Sequence, residues 1–166
     1  MHSYFAAAAR DRSNLVQQDH LFVARNALLK EMLNSAGGLA AVLNTKRQVL
    51  HLNTGLLQFL GIPDAKQALG LRPGEALDCI HAKEEPGGCG TGRHCRDCGA
   101  VIAIVTSLAE KRAVEKDCIL QTNQAGGPLH LHVKVSPIDL QTKRFLLLFM
   151  HEQKSAKEKG PPISNP

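Results

Sequence analysis

The alternation of apolar and polar positions is cleanest in LHLHVKVS, where Leu129, Leu131, Val133 and Val135 share one face of an extended chain and His130, His132 and Lys134 the other. That pattern predicts a strand with one buried face. The segment KRFLLLFMHE differs, because Phe145 to Met150 is apolar at every position, and such a strand must be covered on both faces. Upstream, KDCILQTN predicts another strand. GGLAAVLNTKRQVLHLN predicts a hairpin, with an apolar run from Leu39 to Leu43, a turn at Asn44-Thr45-Lys46, and a second run with Val49, Leu50 and Leu52.

Residues 11–35, DRSNLVQQDHLFVARNALLKEMLNS, carry apolar side chains at Leu15, Phe22 and Leu29 and at Val23, Met32 and Leu33. This predicts one amphipathic helix of about six turns, ended by Gly37-Gly38. The seven-residue spacing of Leu15, Phe22 and Leu29 also suits pairing with a second copy of the chain. TGLLQFLGIPDAKQAL predicts two short helices broken at Gly61 and Pro63, and GAVIAIVTSLAEKRA a longer one. The order of elements implies an α+β fold: a five-stranded antiparallel sheet, helices on one face, and the N-terminal amphipathic helix covering the other. The expected division is a flexible N-terminus over 1–10, the helix over 11–35, the domain proper over 36–151 with a cysteine-rich loop at 79–98, and a disordered charged tail over 152–166.

At 166 residues and 43% hydrophobic composition, the chain can bury one core of ordinary size. No apolar run approaches the roughly 18 residues of a membrane span, and MHSYFAAAAR lacks the pattern of a secretory signal, so the reading is a cytoplasmic protein. The net charge of +5 is spread thinly and aromatic residues make up 4%, which leaves neither a basic stripe nor a stacking platform for nucleic acid. A Walker A loop, GxSxG, HExxH, GGDEF and kinase motifs are all missing, so the expectation is a non-enzyme.

Four of the five cysteines lie within CIHAKEEPGGCGTGRHCRDC, at Cys79, Cys89, Cys95 and Cys98, spaced C-x9-C-x5-C-x2-C. In a reducing compartment such clustering points to metal or redox chemistry before structural disulfides. Cys95 and Cys98 precede a predicted helix, where its dipole and free N–H groups favour thiolates. Four thiolates suit an iron–sulfur cluster or a tetrahedral Zn²⁺. A two-knuckle zinc ribbon needs two C-x2-C pairs, and only Cys95 and Cys98 form one. The dense glycines at Gly87, Gly88, Gly90, Gly92 and Gly99 permit the backbone to approach sulfur closely. The favoured reading is an iron–sulfur cluster, with zinc second and a metal-free thiol/disulfide switch third. Cys118 is read as a small buried hydrophobe that could replace one ligand. His81 or His94 could also replace a thiolate, although each alone reads as a solvated loop histidine, as Glu84, Glu85 and Asp97 read as solvated carboxylates. His130 and His132 lack further chelating partners. Haem would want an axial histidine in GAVIAIVTSLAEKRAVEK, which has none.

The order of elements over about residues 36–151 resembles the PAS domain, a sensory module of bacterial signalling proteins. GGLAAVLNTKRQVLHLNTGLLQFLGI is similar to the PAS opening, two strands leading to Asn53 and a short helix. RPGEALDCIHA, PGGCGTGRHCRDCGA and KDCIL resemble a cysteine-rich PAS subgroup of bacterial sensor kinases and related regulators. The resemblance implies a sensor input domain, often a homodimer, that signals by contact to a histidine kinase, cyclase or other regulator. It also implies a ligand site between the sheet and the helices before the third strand, where the cysteine segment falls. The combined expectation is a sensor of redox state or a gas. The alternative is a structural zinc or thiol-switch domain whose pocket, lined from Leu129, Leu131, Val133 and Val135, takes a small apolar ligand. GRHCRDC also resembles the GRNCRFLQ motif of flavin photosensors, but the Phe-Leu-Gln is missing.

Overall fold

The computed structural model describes residues 2–124 and 126–153, so the expected tail, from residue 154 onward, lies outside the described residues. Five strands, β1 (Leu39–Leu43), β2 (Val49–Leu52), β3 (Val114–Leu120), β4 (Leu129–Leu140) and β5 (Lys143–Glu152), form one antiparallel sheet in the order β2-β1-β5-β4-β3. The α+β expectation holds. The first and last strands meet at the centre of the sheet, so β5 is paired on both edges and has no free ladder to protect. Its continuous apolar run is explained by coverage on both sides. Leu146, Leu148 and Met150 enter the main core beneath the helices, while Phe145, Leu147 and Phe149 enter a second core on the other face.

That second core is capped by two helices, α1 (Ser13–Ala24) and α2 (Ala27–Ser35), where one had been predicted over 11–35. The break falls at Arg25-Asn26, because the Asn26 side chain accepts the Leu29 N–H at 3.0 Å and starts a new helix. Periodicity counts Asn26 as a polar-face residue and misses that role. The break also dissolves the seven-residue stripe: Leu15 is exposed, Phe22 stacks on Phe145 with ring centroids 5.9 Å apart, and Leu29 is buried. Val16, Val23, Leu29 and Leu33 are the side chains that cover the sheet, each contributing about 1.5–3 kcal/mol through burial.

On the inner face lie α3 (Thr54–Leu60), α4 (Pro73–Ala76) and α5 (Gly99–Glu110). Asn53 ties the two layers together. Its Oδ1 accepts N–H groups from Leu56, capping α3, and from Ala40 of β1, while its Nδ2 donates to the carbonyl of Leu33 in α2. No helix among the described residues is long and apolar enough to cross a membrane.

Candidate functional site

The chain enters the site through a single bridge pairing Cys79 with Thr122 beyond β3, then makes a 3₁₀ turn over Ile80–Lys83. It loops through the glycines and makes a second 3₁₀ turn over Arg93–Asp97 before Cys98 caps α5. This path brings Cys79, Cys89, Cys95 and Cys98 to the wall of one cavity of about 230 Å³, between the sheet and α4 and α5. The remaining wall is largely apolar, with Leu77, Ile104, Leu120, Leu131 and Met150. Of the pocket residues expected from β4, only Leu131 lines it. Leu129, Val133 and Val135 pack directly against the helices in the main core, because α5 and its neighbours cover them.

The close approach of backbone to sulfur expected at the loop glycines is not general: a Cβ on Gly87, Gly88, Gly90 or Gly99 would meet Thr91, Glu75, Arg47 or Asp117, and of these loop positions only Gly92 would have a sulfur near its Cβ, that of Cys95 at 3.7 Å. A Cβ on Gly74 would sit 2.8 Å from the Cys89 Sγ, so only glycine leaves room there. The Cys95 Sγ accepts the Gly90 N–H at 3.3 Å. Burial pushes the Cys89 thiol up to about 12 and raises those of Cys79 and Cys95. Cys98 differs. A hydrogen bond from the Cys118 thiol, supported by the Ala100 and Val101 N–H groups at the start of α5, outweighs its burial and brings it down to about 6. The same contact, with burial, raises Cys118. The helix-start expectation therefore applies to Cys98 but not to Cys95, which lies in the turn before the helix and is buried.

Cys118 is 3% exposed within the main core, and its Sγ lies 3.7 Å from that of Cys98. His81 and His94 line the same cavity as the four cysteines. Rather than standing in solvent singly, their rings stack at 4.2 Å, and both bond Glu84. His132 lies elsewhere, bonded to Asp117 at 2.8 Å and Glu115 at 3.3 Å across β3 and β4.

The frame that holds the loop was not legible in the sequence. Arg72, fully buried, donates from its guanidinium to six backbone carbonyls: Lys46, Gly87, Cys89, Ala7, Ala8 and Ala9. Burial pulls its pKa down to about 10. Arg47 adds a bond to the Ala7 carbonyl at 2.8 Å. Glu75 pairs with Arg10 and accepts the Cys89 N–H at 3.1 Å. Residues 2–10 had been expected to be flexible. They instead run along the loop, with the Tyr4 and Ala6 N–H groups on the carbonyls of Thr91 and Gly90, both at 2.9 Å. Arg10, Arg47 and Arg72 against Glu75 leave an excess of positive charge beside the cysteines, which suits an anionic thiolate-bound centre.

Solved structures with the same arrangement are numerous. The PAS domain from Bordetella pertussis BvgS is similar at a TM-score of 0.56 and 14% identity, covering 81% of this chain and 90% of that one. The PAS domain of nitrogen regulation protein NR(II) from Vibrio parahaemolyticus is similar at 0.52 and 17% identity, covering 77% and 100%. The chain has the PAS fold. No protein-family model matches it, and no curated protein sequence does. In PAS terms the cysteine cavity lies between the sheet and the helices before the third strand, where the resemblance had placed a ligand.

Proposed function

We propose that this PAS domain is the non-enzymatic input module of a signalling protein, and that Cys79, Cys89, Cys95 and Cys98 hold an iron–sulfur cluster through which it senses redox state or a gas. The observation that carries the reading is the convergence of four thiols on one largely apolar cavity inside a sensory fold. Three of those thiols are raised by burial, and a cationic centre is what deprotonates such a set, so binding and folding are coupled. When bound, a cluster supplies reversible one-electron chemistry whose potential follows hydrogen bonds to sulfur and solvent exposure. The Gly90 N–H on Cys95 is one such bond.

The size of the site supports a cluster over zinc: the cavity of about 230 Å³ onto which the four thiols open exceeds the needs of one ion. The 3.7 Å approach of Cys98 and Cys118 favours a second reading, a thiol/disulfide switch in the same place. The signal would pass from Cys98 into α5, through the sheet to α1 and α2, and by contact to a second copy or to a kinase, cyclase or other regulator. Anaerobic purification followed by iron, sulfide and zinc analysis tests this. The expected protein is brown, contains iron and sulfide, and bleaches on exposure to oxygen or nitric oxide. A colourless protein with one tightly held zinc per chain, unchanged by oxidant, contradicts it.

A further inference from the structure

We infer that His81, Glu84 and His94 form a separate binding site for a divalent transition-metal ion at the mouth of the cysteine cavity, independent of what the four cysteines hold. His81 lies in the turn Ile80–Lys83, Glu84 follows directly, and His94 comes from the turn Arg93–Asp97, so the site joins the two flanks of the loop. One ligand atom from each of the three lies within 4.8 Å of the other two. His81 Nδ1 is 2.5 Å from Glu84 Oε1, and His94 Nδ1 is 3.2 Å from Glu84 Oε2. Donors bound about 2.0–2.2 Å from an ion at tetrahedral or octahedral angles stand about 2.8–3.6 Å apart. Each imidazole faces a different carboxylate oxygen, so Glu84 would hold the ion through both: the His94–Oε2 separation already meets this, and His81 needs to open from Oε1 by a few tenths of an ångström. The imidazoles, stacked with 22° between their planes, both turn Nδ1 toward the one carboxylate. A metal takes those lone pairs once the ring protons reside on Nε2.

Two imidazoles and a carboxylate suit Zn²⁺, Co²⁺ or Ni²⁺ rather than Ca²⁺ or Mg²⁺, and three protein ligands leave positions open for water or another ligand. The side chains are 23%, 35% and 64% exposed for His81, Glu84 and His94, so an ion can enter without unfolding the loop. Gly92 separates this site from the thiols: a Cβ there would sit 3.1 Å from Glu84 Oε2 and 3.7 Å from Cys95 Sγ. An ion held here clamps the two turns together and narrows access to the cavity.

Anaerobic Co²⁺ titration of the full chain separates the two sites, because thiolate-bound cobalt gives an intense sulfur-to-metal charge-transfer band and nitrogen/oxygen-bound cobalt only weak d–d bands. The expected result is two classes of binding. Glu84→Gln and His94→Gln, both at solvent-exposed side chains, should weaken the d–d class at least tenfold and leave the charge-transfer class intact. Cys89→Ser and Cys95→Ser should do the reverse. Retention of the d–d class at full affinity in both Glu84→Gln and His94→Gln overturns the site, as does its disappearance in the cysteine variants. Loss of the charge-transfer class alone from the unaltered chain would count against the cysteine centre and not against this one.

Discussion

The Sγ of Cys98, at the cap of α5, lies 3.7 Å from the Sγ of Cys118 in the middle of β3, and this contact sets the two thiols apart chemically. Cys118 donates, Cys98 carries the charge, and the first N–H groups of α5 support it. In the metal-free protein, Cys98 should therefore be the thiol alkylated first, with a rate that rises through about pH 6. Cys118→Ala removes the donor and should move that midpoint upward by a unit or more, on the order of 1.4 kcal/mol per unit. Mass-resolved iodoacetamide labelling against pH measures it; an unmoved midpoint would show that α5 alone holds the thiolate.

Arg72 should be a keystone of stability. Hydrogen bonds from a charged donor contribute about 1.5–3 kcal/mol each, and its guanidinium serves three segments at once. Arg72→Met should cost on the order of 3–5 kcal/mol and leave buried carbonyls unpaired. Arg72→Lys should recover part of this, since lysine keeps the charge but not the fork. Denaturant melts give the magnitude. Amide exchange at Tyr4 and Ala6, bonded to Thr91 and Gly90, should quicken first; unchanged protection there would remove Arg72 from its proposed role.

The sequence displays what burial and periodicity encode. The alternation in β4 and the doubly apolar β5 are enough for a sheet sandwiched between layers, and the clustered cysteine spacing is enough to expect thiols that converge, as they do on one cavity. Other features depend on contacts that periodicity does not record. Arg72 bonds backbone carbonyls, which every residue possesses, so nothing in the Ala7-Ala8-Ala9 run marks it as a partner. Asn26 breaks a helix through its own cap. Cys118 meets Cys98 only because β3 turns back alongside α5, and Glu84 gathers two histidines that look solitary in the chain.

His51 should make stability depend on pH. Burial, with His20 and Lys30 nearby, lowers its pKa below the ordinary 6.5, and its buried Nδ1 has no hydrogen-bond partner among the described residues. The unfolded chain then takes up a proton near 6.5 that the folded chain refuses, so stability is full above that value and is lost as pH falls below it. Urea melts between about pH 7.5 and 5.5 should show this slope, and His51→Gln should flatten it. An equal slope in the variant would assign the dependence to another group.

Homodimer formation, if it uses α1 and α2, should depend on their outer positions rather than on the Leu15, Phe22 and Leu29 stripe. Leu28 and Met32 are 72% and 59% exposed, and a double substitution to Asp at these sites should dissociate the dimer with little loss of domain stability. Sedimentation equilibrium reads the outcome. A variant that associates as the unaltered chain does would place the interface elsewhere.

The iron and acid-labile sulfide content per chain, measured on anaerobic protein across a cysteine series, tests the cysteine centre most directly. Cys79→Ser, Cys89→Ser, Cys95→Ser and Cys98→Ser should each lose the cluster and its visible absorption, while Cys118→Ala should keep both. Full iron and sulfide in any of the four loop variants, or none in the unaltered protein, would contradict the assignment.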